Sequence, residues 1–173
     1  MTFSFSENCI GFDPIIPKNP KCLILGTMPS VASLEESFYY AHPRNAFWPI
    51  LSDYFKQPIE TVNQKIALCK QSGILLWDVL SSCERQGSLD SAIKQPEAND
   101  FASLFQQYPD LKSIVFNGKA AMNLFEKQVV KKQNLPDDLV FYSLPSTSPA
   151  NAQLTFENKR VLWHETLKQV LSK

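Results

Sequence analysis

Cys22-Leu23-Ile24-Leu25-Gly26-Thr27-Met28-Pro29-Ser30 is the stretch on which the fold turns. Four apolar residues run without interruption and then stop at Gly26 and Pro29. A continuous apolar run of this length, closed by turn formers, reads as a strand buried on both faces of a parallel sheet. Three more runs share its character: Ile74-Leu75-Leu76-Trp77, Ile114-Val115-Phe116 and Leu139-Val140-Phe141-Tyr142. Between them the apolar residues change to helical spacing. Phe47, Ile50, Leu51 and Tyr54 mark one helix face, and Ile59, Val62, Ile66 and Cys69 a second. A third helix begins near Lys119 with Ala121, Leu124, Phe125 and Val129 inward; a fourth uses Phe156, Trp163, Leu167 and Val170. Strands alternating with helices predict an α/β fold, three layers α/β/α around a central four-stranded parallel sheet with right-handed crossovers.

Working outward, 173 residues suit one domain, taken as residues 1–173. Pro14, Pro17 and Pro20 make residues 1–20 an irregular lead-in. The most polar stretch, Ser88 to Asp100, reads as a surface connection, and no repeat, low-complexity tract or linker interrupts the pattern. The apolar runs fall far short of the roughly 20 residues of a membrane span. Met1 to Asn8 lacks the basic start and apolar stretch of a signal peptide, so the cytoplasm is the expected location, with no membrane and no obligate protein partner.

Four cysteines, Cys9, Cys22, Cys69 and Cys83, form no C-x-x-C pair, and His42 and His164 stand far apart. That spacing argues against zinc or iron–sulfur ligation and fits reduced, buried thiols; no metal and no cofactor are expected. Neither G-x-G-x-x-G nor a G-x-x-x-x-G-K-[ST] phosphate loop occurs, which argues against a nucleotide-binding α/β enzyme. Seventeen basic and 17 acidic residues cancel, so the charge lacks the strongly basic footprint of a tight nonspecific DNA binder. Backbone amides and a local cationic patch remain available to a phosphate chain.

Ligands of open α/β sheets bind beyond the carboxyl ends of the strands. There the first strand runs into Gly26-Thr27-Met28-Pro29-Ser30, followed by Phe38-Tyr39-Tyr40-Ala41-His42-Pro43-Arg44-Asn45-Ala46-Phe47-Trp48. The fourth strand runs into Leu144-Pro145-Ser146-Thr147-Ser148-Pro149-Ala150-Asn151. With these two loops the chain resembles the uracil-DNA glycosylase superfamily, and within it the hypoxanthine-DNA (deoxyinosine) glycosylase branch. The resemblance covers most of the chain beyond about Lys21. It implies the same three-layer fold, damaged DNA as the partner, and removal of a deaminated base from its sugar.

That chemistry sets requirements the residues can be read against. The target nucleotide must leave the duplex and be held by stacking and hydrogen bonds. A water must be positioned and charge on the departing base stabilised. By resemblance Asn45 takes the water-positioning role that many relatives give to an Asp or Asn in the first loop, where this chain has Thr27 or Met28. An amide both donates and accepts, so it can orient water without ionising; the plain alternative is a cap on the helix beginning at Ala46. Tyr40 is implied to stack on the flipped base, or else to be a packing tyrosine. Gly26, Thr27 and Met28 bring main chain close to the base, Gly26 through close approach or positive φ, or they form only a tight turn. His42 donates to base or phosphate or packs the loop; Arg44 meets a phosphate or a surface ion pair.

The second loop is implied to enter the minor groove, with Ser146, Thr147 and Ser148 at phosphates and Pro149 to Asn151 filling the vacated space. Uracil-specific relatives often carry a histidine where Leu144 stands, which weakens a uracil reading. Trp77 and Asp78 fall where relatives select the base. Asp78 would accept from a purine N–H, or merely cap the next segment, and Trp77 would otherwise be core. Asn117 and Lys119 close the third strand, where a residue borders the pocket in relatives, and Asn117 is taken as base-binding. Because neither loop has a lysine, simple hydrolysis is expected rather than an imine-forming lyase, with Lys119 the reservation. The rival functions are a uracil or mismatched-pyrimidine glycosylase, a noncatalytic damaged-DNA binder, and an unrelated flavodoxin-like or small-molecule α/β enzyme.

Overall fold

The computed structural model describes residues 7–172; the first six residues of the expected lead-in lie outside that range. Glu7–Ile10 is a strand, β1, followed by β2 at Cys22–Gly26. Helices α1 (Val31–Glu36), α2 (Phe47–Phe55) and α3 (Val62–Ser72) lead to β3 (Ile74–Asp78) and β4 (Leu80–Arg85). A 3-10 turn at Asp90–Ala92, β5 (Lys94–Ala98) and α4 (Phe101–Gln107) precede β6 (Ser113–Asn117). Then come α5 (Lys119–Phe125) with a π turn at Glu126–Val130, β7 (Val140–Leu144) and α6 (Phe156–Leu171).

The expected parallel sheet is present in the order β3-β2-β6-β7. Its register pairs Leu23 with both Leu75 and Ile114, and Ile114 with Phe141. Alternate side chains of these strands feed two cores, which makes three layers. Ile24, Leu76 and Val115 pack with Phe47, Leu51, Leu68 and Trp163 from α2, α3 and α6. Leu23, Leu25, Leu75, Ile114 and Phe116 pack with Phe101 of α4 and Phe125 of α5. Each fully buried large side chain contributes roughly 1.5–3 kcal/mol, so the central strands anchor the molecule. Local signals fix the ends of α3: Thr61 and Gln64 form a reciprocal capping box, and Gly73 closes the helix at φ 82°.

Three expectations need correction. The lead-in is not irregular throughout, because β1 pairs antiparallel with β4. Ser88 to Asp100 is more than a connection, since β5 within it pairs with β4 and completes a second sheet, β1-β4-β5. Its sequence, Lys-Gln-Pro-Glu-Ala, carries no strand pattern; pairing at a sheet edge, where Pro96 is tolerated, overrides composition. Finally, β7 is not buried on both faces: it is one of the two edge strands of the sheet, and Val140 is exposed. Among the described residues no helix is long and apolar enough to cross a membrane.

The strand order decides where a ligand belongs. From β2 the chain crosses to β3 on one side, whereas from β6 it crosses to β7 on the other. The crevice between β2 and β6, beyond their carboxyl ends, is therefore the topological switch point of the sheet.

Candidate active site

A cavity opens at that crevice. Its walls come from Gly26, Thr27, Met28, Pro29 and Ser30 after β2, Asp78 at the end of β3 and Asn117 at the end of β6. Tyr39, Tyr40 and Asn45 line it from the segment before α2, and Ser146, Thr147 and Ser148 from the segment after β7. Two loops about a hundred residues apart in sequence thus face one space, and they are directly bonded: the Ala46 N–H donates to the Thr147 carbonyl at 3.0 Å.

Asn45 sits half-buried at the start of α2, its Oδ1 accepting from the Phe47 N–H at 2.9 Å. The helix begins at Phe47 with Ala46 at its N-cap and no side-chain cap, so the expected cap by Asn45 is not formed; Asn45 instead makes a local side-chain turn just before the helix, which fixes the amide. One lone pair of Oδ1 and both Nδ2 protons remain for other partners. The turn leading to Asn45 is tied by its own atoms, with Asn45 N–H donating to the His42 carbonyl and Arg44 N–H to His42 Nδ1. Behind it stands an aromatic stack. Tyr40 and Phe47 rings lie 4.2 Å apart, Phe47 meets Trp163 edge-on, and Trp163 Nε1 donates to the Pro145 carbonyl of the second loop.

Tyr40 takes the left-handed conformation, φ 51°, uncommon for a bulky residue. Its hydroxyl is buried without a hydrogen-bond partner. Burial raises its pKa far above the usual phenol range, and the Asp78 charge adds to this, so the group stays protonated. Asp78 is buried too, and its Oδ2 likewise has no partner. Burial pushes its pKa up to about 7; Asp90 adds to the rise and Arg85 opposes it. Gly26 explains why both groups reach the cavity. A methyl group on Gly26 would lie 2.7 Å from Asp78 Oδ1 and 2.8 Å from Tyr40 Oη. Close approach is therefore the reason for glycine here; Gly26 is not among the positive-φ residues, which corrects half of the expectation.

The opposite wall is internally bonded. Asn117 accepts from the Thr147 N–H and donates to Thr147 Oγ1, both at 2.9 Å. Gly118, at φ 101°, gives its N–H to the Leu144 carbonyl, and a Cβ there would press on Ser146 at 3.1 Å. Thr147, expected at phosphates, is buried by this clamp, so its side chain anchors the loop. Ser146 and Ser148 stay half-buried at the cavity, Ser146 Oγ accepting from the Ser148 N–H. Asn151 turns back to the Ser146 carbonyl.

Other expected residues lie elsewhere. Trp77 is outside the lining: it packs on Phe101 at 5.1 Å and its Nε1 donates to the Phe12 carbonyl. His42, Arg44, Pro149 and Asn151 also stand off the cavity, Arg44 on the exposed surface. Leu144 belongs to the core, so no polar group is offered from that position.

Several lining residues escaped the sequence reading. Ser88 and Asp90 reach the cavity from the β4–β5 segment, Asp90 accepting from the Thr27 hydroxyl at 2.6 Å and Ser88 Oγ from the Val31 N–H at 2.9 Å. Arg85, wholly buried beneath the first loop, donates from Nη2 to the Pro29 carbonyl, with Nε and Nη1 unpartnered. Ser33 caps the approach to Tyr40 by accepting from the Ala41 N–H. Lys159 lies buried under the second loop, its ammonium directed at the Ser148 carbonyl and its pKa lowered by burial. An inward lysine was signalled by spacing, since 159 is four residues before Trp163.

Among the described residues no three His, Cys, Asp or Glu side chains gather to hold a metal ion. All four cysteines are buried.

Known proteins supply the remaining findings. A family model described as Uracil DNA glycosylase superfamily matches residues 14–167. Two proteins named Hypoxanthine DNA glycosylase are similar. The one from Methanosarcina barkeri is 38% identical over 111 residues, 63% of this chain and 70% of its own. The one from Methanosarcina acetivorans is 36% identical over 113 residues, 64% and 72% of the two chains. A solution NMR structure of a candidate uracil DNA glycosylase from Methanosarcina acetivorans superposes with a TM-score of 0.78 at 30% identity, covering 95% of this chain and 99% of that one.

Proposed function

The chain belongs to the uracil DNA glycosylase superfamily, and on that premise we propose that it hydrolyses the bond between deoxyribose and hypoxanthine in DNA, leaving an abasic site. Two kinds of observation support this substrate: the names of the two similar proteins, and a cavity floor of hydrogen-bonding groups that lack partners. The observation that carries the site is the convergence of Asn45 and Ser146–Ser148 on one cavity, joined through Ala46 and Thr147.

In the proposed reaction the C1′–N9 bond breaks and its electron pair leaves with the base. The sugar takes on oxocarbenium character, water adds at C1′, and the water's surplus proton passes to solvent, which returns a proton to the departing base anion. Asn45 orients that water through the lone pair of Oδ1 that Phe47 leaves free, and the helix-start bond prevents the amide from rotating away. Tyr40 and Asp78 hold the base edge, with Gly26, Thr27 and Met28 forming the close wall. Arg44, Ser146 and Ser148 meet the phosphate chain, and Pro149 and Asn151 stand behind the loop that fills the gap in the duplex. The buried leucine at 144 offers no electrophile to a uracil oxygen, which favours the purine reading over the pyrimidine one. We further infer that the chain acts as one domain, since both cores share the strands of one sheet, and that it works in the cytoplasm, where buried thiols stay reduced.

Single-turnover incubation with matched duplexes bearing inosine, uracil or xanthine tests the reading. The expected outcome is fastest release of free hypoxanthine with an alkali-labile abasic strand. Binding without release of any base would make the chain a damage-binding protein, and borohydride trapping of an imine would overturn simple hydrolysis.

A further inference from the structure

Asp78 is 4% exposed, and the cavity it lines also receives the Tyr40 hydroxyl. Both border the small space above Gly26, and Asp78 Oδ2 and Tyr40 Oη lack hydrogen-bond partners. The charges around the carboxyl come from every side. Arg85 on β4 is the neighbouring cation, Asp90 on the 3-10 turn is a second anion, and Tyr39 and Tyr40 are neutral hydroxyls before α2. Arg85 directs Nη2 to the Pro29 carbonyl and makes no salt bridge to Asp78. A buried anion with neither an ion-pair bond nor enough donors is costly.

From this geometry we infer that Asp78 works as a neutral carboxylic acid, offering one O–H donor and one C=O acceptor to the edge of the base. The inference rests on the reading that a flipped base fills this cavity. Deaminated bases share a lactam edge, an N–H beside a C=O: N1–H and O6 in hypoxanthine, N3–H and O4 in uracil. A neutral carboxyl group complements both atoms at once. A carboxylate has acceptors only; it would take the N–H and repel the oxygen. It would instead suit two adjacent N–H donors, the edge of guanine, which differs from hypoxanthine by its 2-amino group. The proton on Asp78 therefore holds the lactam edge of the damaged base and removes the added match that a carboxylate would have to the two N–H donors of guanine. The pKa of Asp78, raised to about 7 chiefly by burial, is consistent with a proton retained towards neutrality.

Asparagine is the isostere of the neutral acid, with a donor and an acceptor that do not titrate. Single-turnover rates on inosine and uracil duplexes, from pH 5.5 to 9, would compare the wild type with Asp78→Asn and Asp78→Ala. The wild-type rate should fall about tenfold per pH unit above about 7. Asp78→Asn should be flat and overtake the wild type by pH 9, while Asp78→Ala stays slow throughout. A wild-type rate constant to pH 9, or an asparagine variant as slow as alanine, overturns the inference.

Thermal melting adds a readout independent of turnover. A carboxyl raised from 3.8 to about 7 on folding contributes stability that is present below about pH 4 and lost as pH rises to about 7. Asp78→Asn removes that loss, so its melting point should exceed the wild type's at pH 8 relative to their difference at pH 4. The same difference at both pH values would count against a proton on Asp78. Release of neither base by the wild type at any pH overturns the glycosylase reading itself; release with a flat profile overturns the proton alone.

Discussion

The two sides of the cavity are built on opposite principles. The wall formed by Asn117, Thr147, Ser146 and Gly118 is closed on itself, with each amide or hydroxyl of the clamp bonded to its neighbour. The floor formed by Asp78 and Tyr40, with Arg85 behind it, leaves polar atoms buried and unpartnered. Unsatisfied buried groups each cost about 1–3 kcal/mol, so a fold keeps them where a ligand completes them. The comparison separates residues that maintain the cavity from residues that act through it. Asn45 stands between the two, bonded on one lone pair and open on the other.

That intermediate position makes Asn45→Ala the sharpest test and the largest expected effect. As a residue that only makes one turn bond to the Phe47 N–H it should cost about 1 kcal/mol of stability. As the residue that positions water it should cost on the order of 10²–10³ in the single-turnover rate of base release, the scale of losing one preorganised catalytic group. Rate and melting point measured on the same variant decide between them; a rate loss no larger than tenfold in a well-folded protein would return Asn45 to the wall. Gly26→Ala comes next. The added methyl group meets the ends of Asp78 and Tyr40 rather than backbone, so the fold should survive while the floor is displaced. Displacing the base by about 1 Å should slow release by around 10²-fold. Unchanged release would show that these two groups do not hold the base.

Asn117→Ala breaks the wall instead. It strands the Thr147 N–H and hydroxyl in a buried position, for an expected loss of about 1–3 kcal/mol at every pH, read from the melting point or urea midpoint. The activity that survives should keep the wild-type preference among bases. A change of preference without loss of stability would move Asn117 from wall to floor.

The division also marks what the sequence could say. Strands β2 and β6 were legible because full burial on both faces removes any need for polar alternation; the edge strand β7 obeyed the same pattern without the burial, since a short apolar run does not reveal its neighbours. Strand β5 was illegible because its stability comes from pairing with β4 and not from its own residues. The two loops announced themselves through Gly26, Asn45 and Ser146–Ser148. Arg85, Ser88 and Asp90 did not, because they reach the site through the second sheet from a stretch of ordinary polar composition. Trp77 misled for the converse reason. Beside Asp78 in sequence, it points away from it in a strand, where successive side chains take opposite faces.

Outside wall and floor lies a third zone, the exposed rim, and Arg44 is its test. Its side chain stands off the cavity, so it can act on DNA only through charge. Each phosphate neutralised on duplex DNA contributes about 0.9 to the slope of log affinity against log salt. Arg44→Ala should lower that slope by about one contact and weaken binding less than tenfold at about 0.1 M salt, where surface charges are already screened over roughly 10 Å. With enzyme saturating, the rate of base release should not change, because the bound geometry is set by groups that Arg44 does not touch. A fall in the saturated rate would place Arg44 against the extruded nucleotide and erase the boundary between rim and cavity.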